Sequence, residues 1–182
     1  MSLNELKEKC LVCRDCKLCE TRQNVVFGEG NPNARLMFIG EGPGETEDQT
    51  GRPFVGRAGQ LLEKMILVIG LTREDVYIAN MVKCRPPKNR DPEADETETC
   101  IKYLREQVRI IDPEFIVCLG RISACRLIDP EFRVTKQHGT WVQKGKYKFM
   151  GTFHPSALLR NPSQKPEAFE DFLKIKLEYN KG

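Results

Sequence analysis

Short apolar runs alternate along this chain with stripes at helical spacing. Leu36-Met37-Phe38-Ile39, ending at Gly40, predicts a strand buried on both faces. Val76-Tyr77-Ile78-Ala79-Asn80, then Phe115-Ile116-Val117-Cys118-Leu119 before Gly120, then Lys148-Phe149-Met150-Gly151-Thr152-Phe153 predict three more, the last the least apolar. Between the runs the period changes. Leu61, Leu62, Met65, Ile66 and Ile69 share one helical face, with Gly70 as the stop. Asp91-Pro92 predicts the cap and first position of a long helix whose stripe is Ile101, Leu104, Val108 and Ile111. A brief helix is expected over Arg121 to Ile128, and a last one from Pro166 to Tyr179 with Phe169, Phe172, Leu173 and Leu177 inward. Ser2-x-x-Glu5 has the form of a capping box for a short helix through about Lys9.

Strands alternating with helices predict an α/β sandwich around a mostly parallel sheet. Such sheets bind ligands beyond the carboxyl ends of their strands. That rule selects Gly40-Glu41-Gly42 after the first strand, Asn80 after the second and His154 after the fourth. The segment from Gly40 to Gly59 is rich in Gly and Pro and too long for a plain connector, so it is read as a functional loop.

At 182 residues a single domain over 1–182 is expected, large enough to hold a core without disulfides. A content of 40% hydrophobic and 30% charged residues excludes disorder, and no apolar run approaches the ~18 residues of a membrane span. The first residues lack the apolar stretch of a secretory signal, so a cytoplasmic protein with no membrane partner is expected. A formal charge of +3 does not argue for nucleic-acid binding, which must rest on local clusters.

Eight cysteines, at 10, 13, 16, 19, 84, 100, 118 and 125, change the picture. Cys13-x-x-Cys16 can place two thiolates on one metal centre, and Cys84 with Cys100 offers a second pair that would clamp the segment at about 10–20 against the domain. Four thiolates suit zinc or an iron–sulfur cluster, and spacing does not choose between them. Cys16-x-x-Cys19 is equally well spaced, whereas Cys118 and Cys125 read as small buried hydrophobes.

The remaining chemistry sits in two segments. Gly40-Glu41-Gly42-Pro43-Gly44 lacks the third glycine of a dinucleotide loop, and Pro43 removes a donor, so a phosphate cradle is a weak reading. Phe54, between Gly51 and Gly56, is either a core plug or a platform for a planar base. Asn80 presents a donor beside an acceptor, matching the N3–H and O4 edge of uracil. His138, in a polar stretch, is expected to be exposed. Leu158-Leu159 beside Arg160 reads as an apolar wedge with a phosphate contact, or as a turn whose leucines face the core. Four cations between Lys83 and Arg90, with Arg160 and Lys165, make a candidate phosphate-binding patch.

Together these residues resemble the family 4 uracil-DNA glycosylases. The resemblance rests on Cys13-x-x-Cys16, Gly40-Glu41-Gly42-Pro43-Gly44 with Glu47-Asp48, Gly51-Arg52-Pro53-Phe54-Val55-Gly56, Lys83-Cys84-Arg85-Pro86-Pro87, Cys100 and His154-Pro155-Ser156 in that order. It implies a three-layer α/β/α sandwich with a central four-stranded parallel sheet. It also implies a [4Fe–4S] cluster on Cys13, Cys16, Cys84 and Cys100, with Cys10 and Cys19 as extras. The implied reaction is hydrolysis of the glycosidic bond of deoxyuridine flipped out of single- or double-stranded DNA, by a monomer.

The family pattern further implies a role for each matched residue. Phe54 would stack on uracil, Asn80 would read its edge, and the Gly42 backbone would hold it. His154 would bond near O2, and Glu47 would crowd C5 against thymine. Glu41 is the nearest carboxylate to water or the sugar cation. Arg85, Lys88, Arg90, Pro155, Ser156, Leu158, Leu159 and Arg160 are the candidate DNA contacts. A non-catalytic iron–sulfur module that binds nucleic acid or carries electrons is the rival reading, and a zinc protein on the same thiolates another.

Overall fold

The computed structural model describes residues 1–182. The elements follow in order: α1 (Leu3–Leu11), β1 (Glu29–Gly30), β2 (Leu36–Gly40), α2 (Glu45–Thr50), α3 (Arg57–Val68), β3 (Tyr77–Asn80), α4 (Ala94–Ile111) and β4 (Phe115–Leu119). Then come α5 (Arg121–Leu127), α6 (Val134–Gln137), β5 (Trp141–Lys144), β6 (Tyr147–Thr152), α7 (Pro155–Arg160) and α8 (Lys165–Tyr179). The Ser2–Glu5 capping box is formed on α1. No helix is long and apolar enough to cross a membrane.

The sheet has six strands in the order β1-β3-β2-β4-β6-β5. Its four inner strands are the predicted parallel ones, β3-β2-β4-β6. Two antiparallel edges were not predicted. β1 is only two residues long, and β5 is half-exposed, so neither carries a buried-strand pattern.

Side chains alternate across the sheet as a pleat requires. Leu36 and Phe38 of β2 pack with Leu62, Ile66, Phe172 and Ile175 of α3 and α8. Met37 and Ile39 pack on the opposite face with Ile101, Leu104 and Ala124 of α4 and α5. Each face of the sheet is thus covered by helices, the three-layer sandwich.

Four expectations need correction. The long helix starts at Ala94, because Glu96 reaches back to the Glu93 N–H at 2.8 Å and there displaces Asp91 as the capping group. Asp91 pairs instead with Arg121 at 3.0 Å. In α8, Phe169, Leu173 and Leu177 are exposed, while Ala168, Asp171, Phe172 and Ile175 face inward. Phe172 stacks on Phe38 with ring centroids 5.7 Å apart, and that contact sets the rotation of the helix. The Gly40–Gly59 segment holds α2 and the first turn of α3 rather than one continuous loop.

His138 is half-buried, not exposed. Its Nδ1 faces Asp171 at 2.8 Å and its Nε2 faces Glu167 at 3.3 Å. Asp171 is fully buried and accepts the Thr152 hydroxyl at 2.6 Å, and burial raises its carboxyl above the usual range. A polar anchor between α8 and the end of β6 leaves no apolar pattern to read.

Candidate functional site

β2 lies between β3 and β4, so the chain reverses its direction of travel across the sheet at β2. Open α/β sheets bind ligands at such a reversal. A cleft of about 400 Å³ sits there, lined by Glu41, Gly42, Glu47, Phe54, Asn80, His154, Ser156 and Arg160 among others. The three strand ends named from the sequence do converge.

Register explains the convergence. Gly40 is the Cα partner of Asn80, which sets the Glu41 turn beside the Asn80 side chain. A Cβ on Gly40 would lie 2.5 Å from both Asn80 Oδ1 and the Phe54 ring, so only glycine lets the three groups approach. Asn80 is 2% exposed and its Oδ1 has no hydrogen-bond partner.

The Phe54 turn is held in a costly conformation. Phe54 has φ +51°, a left-handed geometry that a bulky residue rarely adopts. Arg73 clamps it by donating to the Pro53 carbonyl at 2.7 Å and the Phe54 carbonyl at 2.8 Å. Glu47 accepts the N–H groups of Gly44 at 3.0 Å, Val55 at 3.0 Å and Gly56 at 2.7 Å. Glu47 therefore braces the loop through both carboxylate oxygens while lining the cleft. Phe54 is a core plug whose ring also borders the cleft, 5.6 Å from the His154 ring.

His154 caps α7. Its Nδ1 accepts the Ser156 N–H at 3.1 Å and lies 2.7 Å from Ser156 Oγ. An Nδ1 lone pair used this way puts the ring proton on Nε2. Burial first, and the charge of Arg160 second, pull the imidazole down to about 4, so it is neutral at pH 7. The result is an uncharged donor. Glu41 is displaced the other way: burial and the nearby Asp91 raise its carboxyl, against the pull of Arg121 and Arg160.

The basic residues divide. Arg90 and Arg160 line the cleft, but Arg90 forms a fork with the buried Glu96 at 2.8 and 2.9 Å. Arg85 bonds Asn89 at 2.8 Å, and Lys88 is exposed. Lys83 is not part of a surface patch, being 1% exposed. Leu158 is fully buried against Phe153 and Ala168, and Pro155 is buried too, so neither side chain reaches a surface ligand. Leu159 remains half-exposed as the only leucine of the pair free to act as a wedge. Arg57 at the start of α3 lines the cleft, and Arg121 follows Gly120 at the end of β4; both were missed. The strand-end rule would have found Arg121 had it been applied to the third parallel strand.

A second, small cavity is lined by Cys10, Cys13, Cys16, Cys19, Cys84 and Cys100 with Arg22 and Lys83. Arg22 donates to Cys84 Sγ at 3.4 Å, and the Lys83 backbone N–H donates to Cys100 Sγ at 3.3 Å. Burial pushes the Cys100 thiol up to about 11 and Cys10 up to about 12, so thiolates here need a compensating cation. The donor set and its N–H···S bonds fit an iron–sulfur cluster.

The profile of a family described as "Uracil DNA glycosylase superfamily" matches residues 27–176. A "Type-4 uracil-DNA glycosylase" from Sulfurisphaera tokodaii is 48% identical over 184 residues, covering 96% of this chain and 84% of that protein. One of the same description from Thermotoga maritima is 49% identical, covering 87% of this chain and 83% of its own length. Another from Archaeoglobus fulgidus is 44% identical, covering 96% of this chain and 92% of its own.

Proposed function

The chain belongs to the uracil-DNA glycosylase superfamily and is an enzyme of DNA repair that removes uracil from DNA, and from that premise we propose how its cleft does so. The whole of 1–182 acts as one glycosylase domain on single- and double-stranded DNA. It hydrolyses the N-glycosidic bond of an extruded deoxyuridine, leaving an abasic site.

The observation that carries this reading is the unpaired Asn80 Oδ1 in a polar cleft. A buried acceptor without a donor costs free energy until a ligand supplies one. The N3–H of uracil supplies it, and O4 takes the amide N–H beside it; cytosine presents the reverse pattern. Phe54 stacks on the ring and the Gly42 backbone borders it. Glu47 narrows the C5 side against thymine through the loop it braces.

As the glycosidic bond breaks, electrons pass to the base and negative charge builds at O2. The neutral His154 donates its Nε2–H there. One such donor is commonly worth about 2.7–4 kcal/mol. Glu41 faces the opposite charge, the cation developing on the sugar, and orients the water that attacks it. Arg85, Lys88, Arg160 and Ser156 hold phosphates along the rim, with Arg57 and Arg121 added, and Leu159 fills the gap left by the extruded base. Arg90 acts mainly through its fork with Glu96.

Cys13, Cys16, Cys84 and Cys100 hold a [4Fe–4S] cluster, which supplies a structural tie and a local negative charge. It fastens the N-terminal segment to the Cys84 loop and α4. Chemistry in the cleft does not pass through it.

The test is release of uracil from a uracil-containing oligonucleotide, followed by alkaline cleavage at the abasic site. Strand scission that depends on uracil supports the reading. An intact strand with folded, iron-loaded protein rejects it.

A further inference from the structure

One interior side chain spans the two sites. Lys83 is 1% exposed, and its ammonium donates to the Asn80 carbonyl at 2.9 Å and to Gln107 Oε1 at 2.7 Å. No carboxylate pairs with it, a rare state for a fully buried lysine. Gln107 is also fully buried, and its Nε2 donates to the Phe27 carbonyl at 2.8 Å and the Tyr77 hydroxyl at 3.2 Å. On its other side Lys83 borders the cysteine cavity, and its backbone N–H meets Cys100 Sγ.

Sheet pairing with Gly40 sets the register of Asn80, and the Lys83 ammonium is a further contact on its carbonyl. Its Oδ1 is unpaired, so no side-chain bond on the cleft side fixes the amide. Its placing depends on the main chain at the end of β3, and there the ammonium of Lys83 grips the carbonyl.

We propose that Lys83 is a positioning residue for base recognition: anchored by Gln107, it holds the Asn80 main chain so that the amide faces the bound pyrimidine. The proposal rests on Asn80 reading uracil, as argued above. It also gives the buried cation a counter-charge, because an iron–sulfur cluster held by four thiolates is anionic. Lys83 thus touches both the base-reading strand and the cysteine cavity.

The test uses iron-loaded full-length enzyme carrying Lys83→Met, an unbranched apolar replacement, with iron content and thermal unfolding checked first. Inhibition by free uracil and affinity for abasic-site DNA are then measured. Uracil inhibition should weaken about tenfold, the value of the neutral hydrogen bond that a displaced Asn80 amide no longer makes to the base, with abasic-site affinity unchanged. In an Asn80→Ala background, Lys83→Met should add nothing further, as expected of residues acting as one unit.

Unchanged uracil inhibition in iron-loaded Lys83→Met overturns the proposal, as does full additivity with Asn80→Ala. If Lys83→Met does not fold, Gln107→Met takes its place and must weaken uracil inhibition in the same direction; no effect overturns the proposal. If Asn80→Ala itself leaves uracil inhibition unchanged, the base-reading role of Asn80 has failed. If Asn80→Ala weakens inhibition and Lys83→Met does not, only the role of Lys83 has failed.

Discussion

Replacing His154 with asparagine separates two jobs that one imidazole performs. Its Nδ1 accepts the Ser156 N–H at 3.1 Å and caps α7. Its Nε2 is the donor aimed at the departing base. An asparagine Oδ1 falls near the place of Nδ1, so His154→Asn keeps the cap and loses the donor. Single-turnover excision should then fall by about 10²–10³, the cost of one oxyanion donor. His154→Ala loses both, adding about 0.5–2 kcal/mol of destabilisation from the missing cap.

Acid stability supplies a second readout for the same change. The folded imidazole titrates near about 4 against 6.5 in its ordinary state. As pH falls below 6.5 the unfolded chain takes up the proton first, so this loss of stability begins there and is complete near 4. The displacement is worth up to about 3 kcal/mol. Above 6.5 nothing is lost. His154→Asn should therefore lose less stability between pH 7 and 4.5 in urea unfolding than the wild type does. An Asn variant within tenfold of the wild-type rate refutes the donor role. A wild-type rate that falls as pH rises through about 4 would mean that the cationic ring is the active form.

Gly59→Ala should destabilise the protein by about 1–3 kcal/mol and depress excision, since the new Cβ collides with the Phe54 carbonyl; thermal unfolding and excision at wild-type levels would refute the strained-turn account. Asn80→Asp should cut uracil excision by about tenfold or more and admit cytosine, read on matched oligonucleotides; unchanged selectivity would mean that another group reads the pyrimidine edge. Cys84→Ser should lose iron and visible absorption together; a variant with full iron content removes Cys84 from the ligand set, and a colourless zinc-containing wild type rejects the cluster.

β2, β3 and β4 were legible because they are buried on both faces and so write apolar runs, as in Phe115–Leu119, while β6 left a weaker signal because Tyr147 and Lys148 at its start are half-buried. Glu41, Asn80 and His154 were legible because a topological rule ties strand ends to ligand sites. The edges were not. β1 and β5 are too short or too wet to leave a pattern, and α8 carries more apolar residues than one face can bury, so composition could not say which of Phe169 and Phe172 turns inward.

Local chemistry along the chain thus determined the class of fold and the three groups that meet at the cleft. Tertiary structure alone decided what each group can do there. Only packing turns Leu158 into core, gives Glu47 three backbone N–H groups to hold, forces Phe54 to φ +51°, and withdraws Lys83 from the surface. The physical reason is that charge state, strain and exposure depend on neighbours contributed by distant segments. His154 is neutral because burial and Arg160 make it so, and no spacing in the sequence encodes that burial.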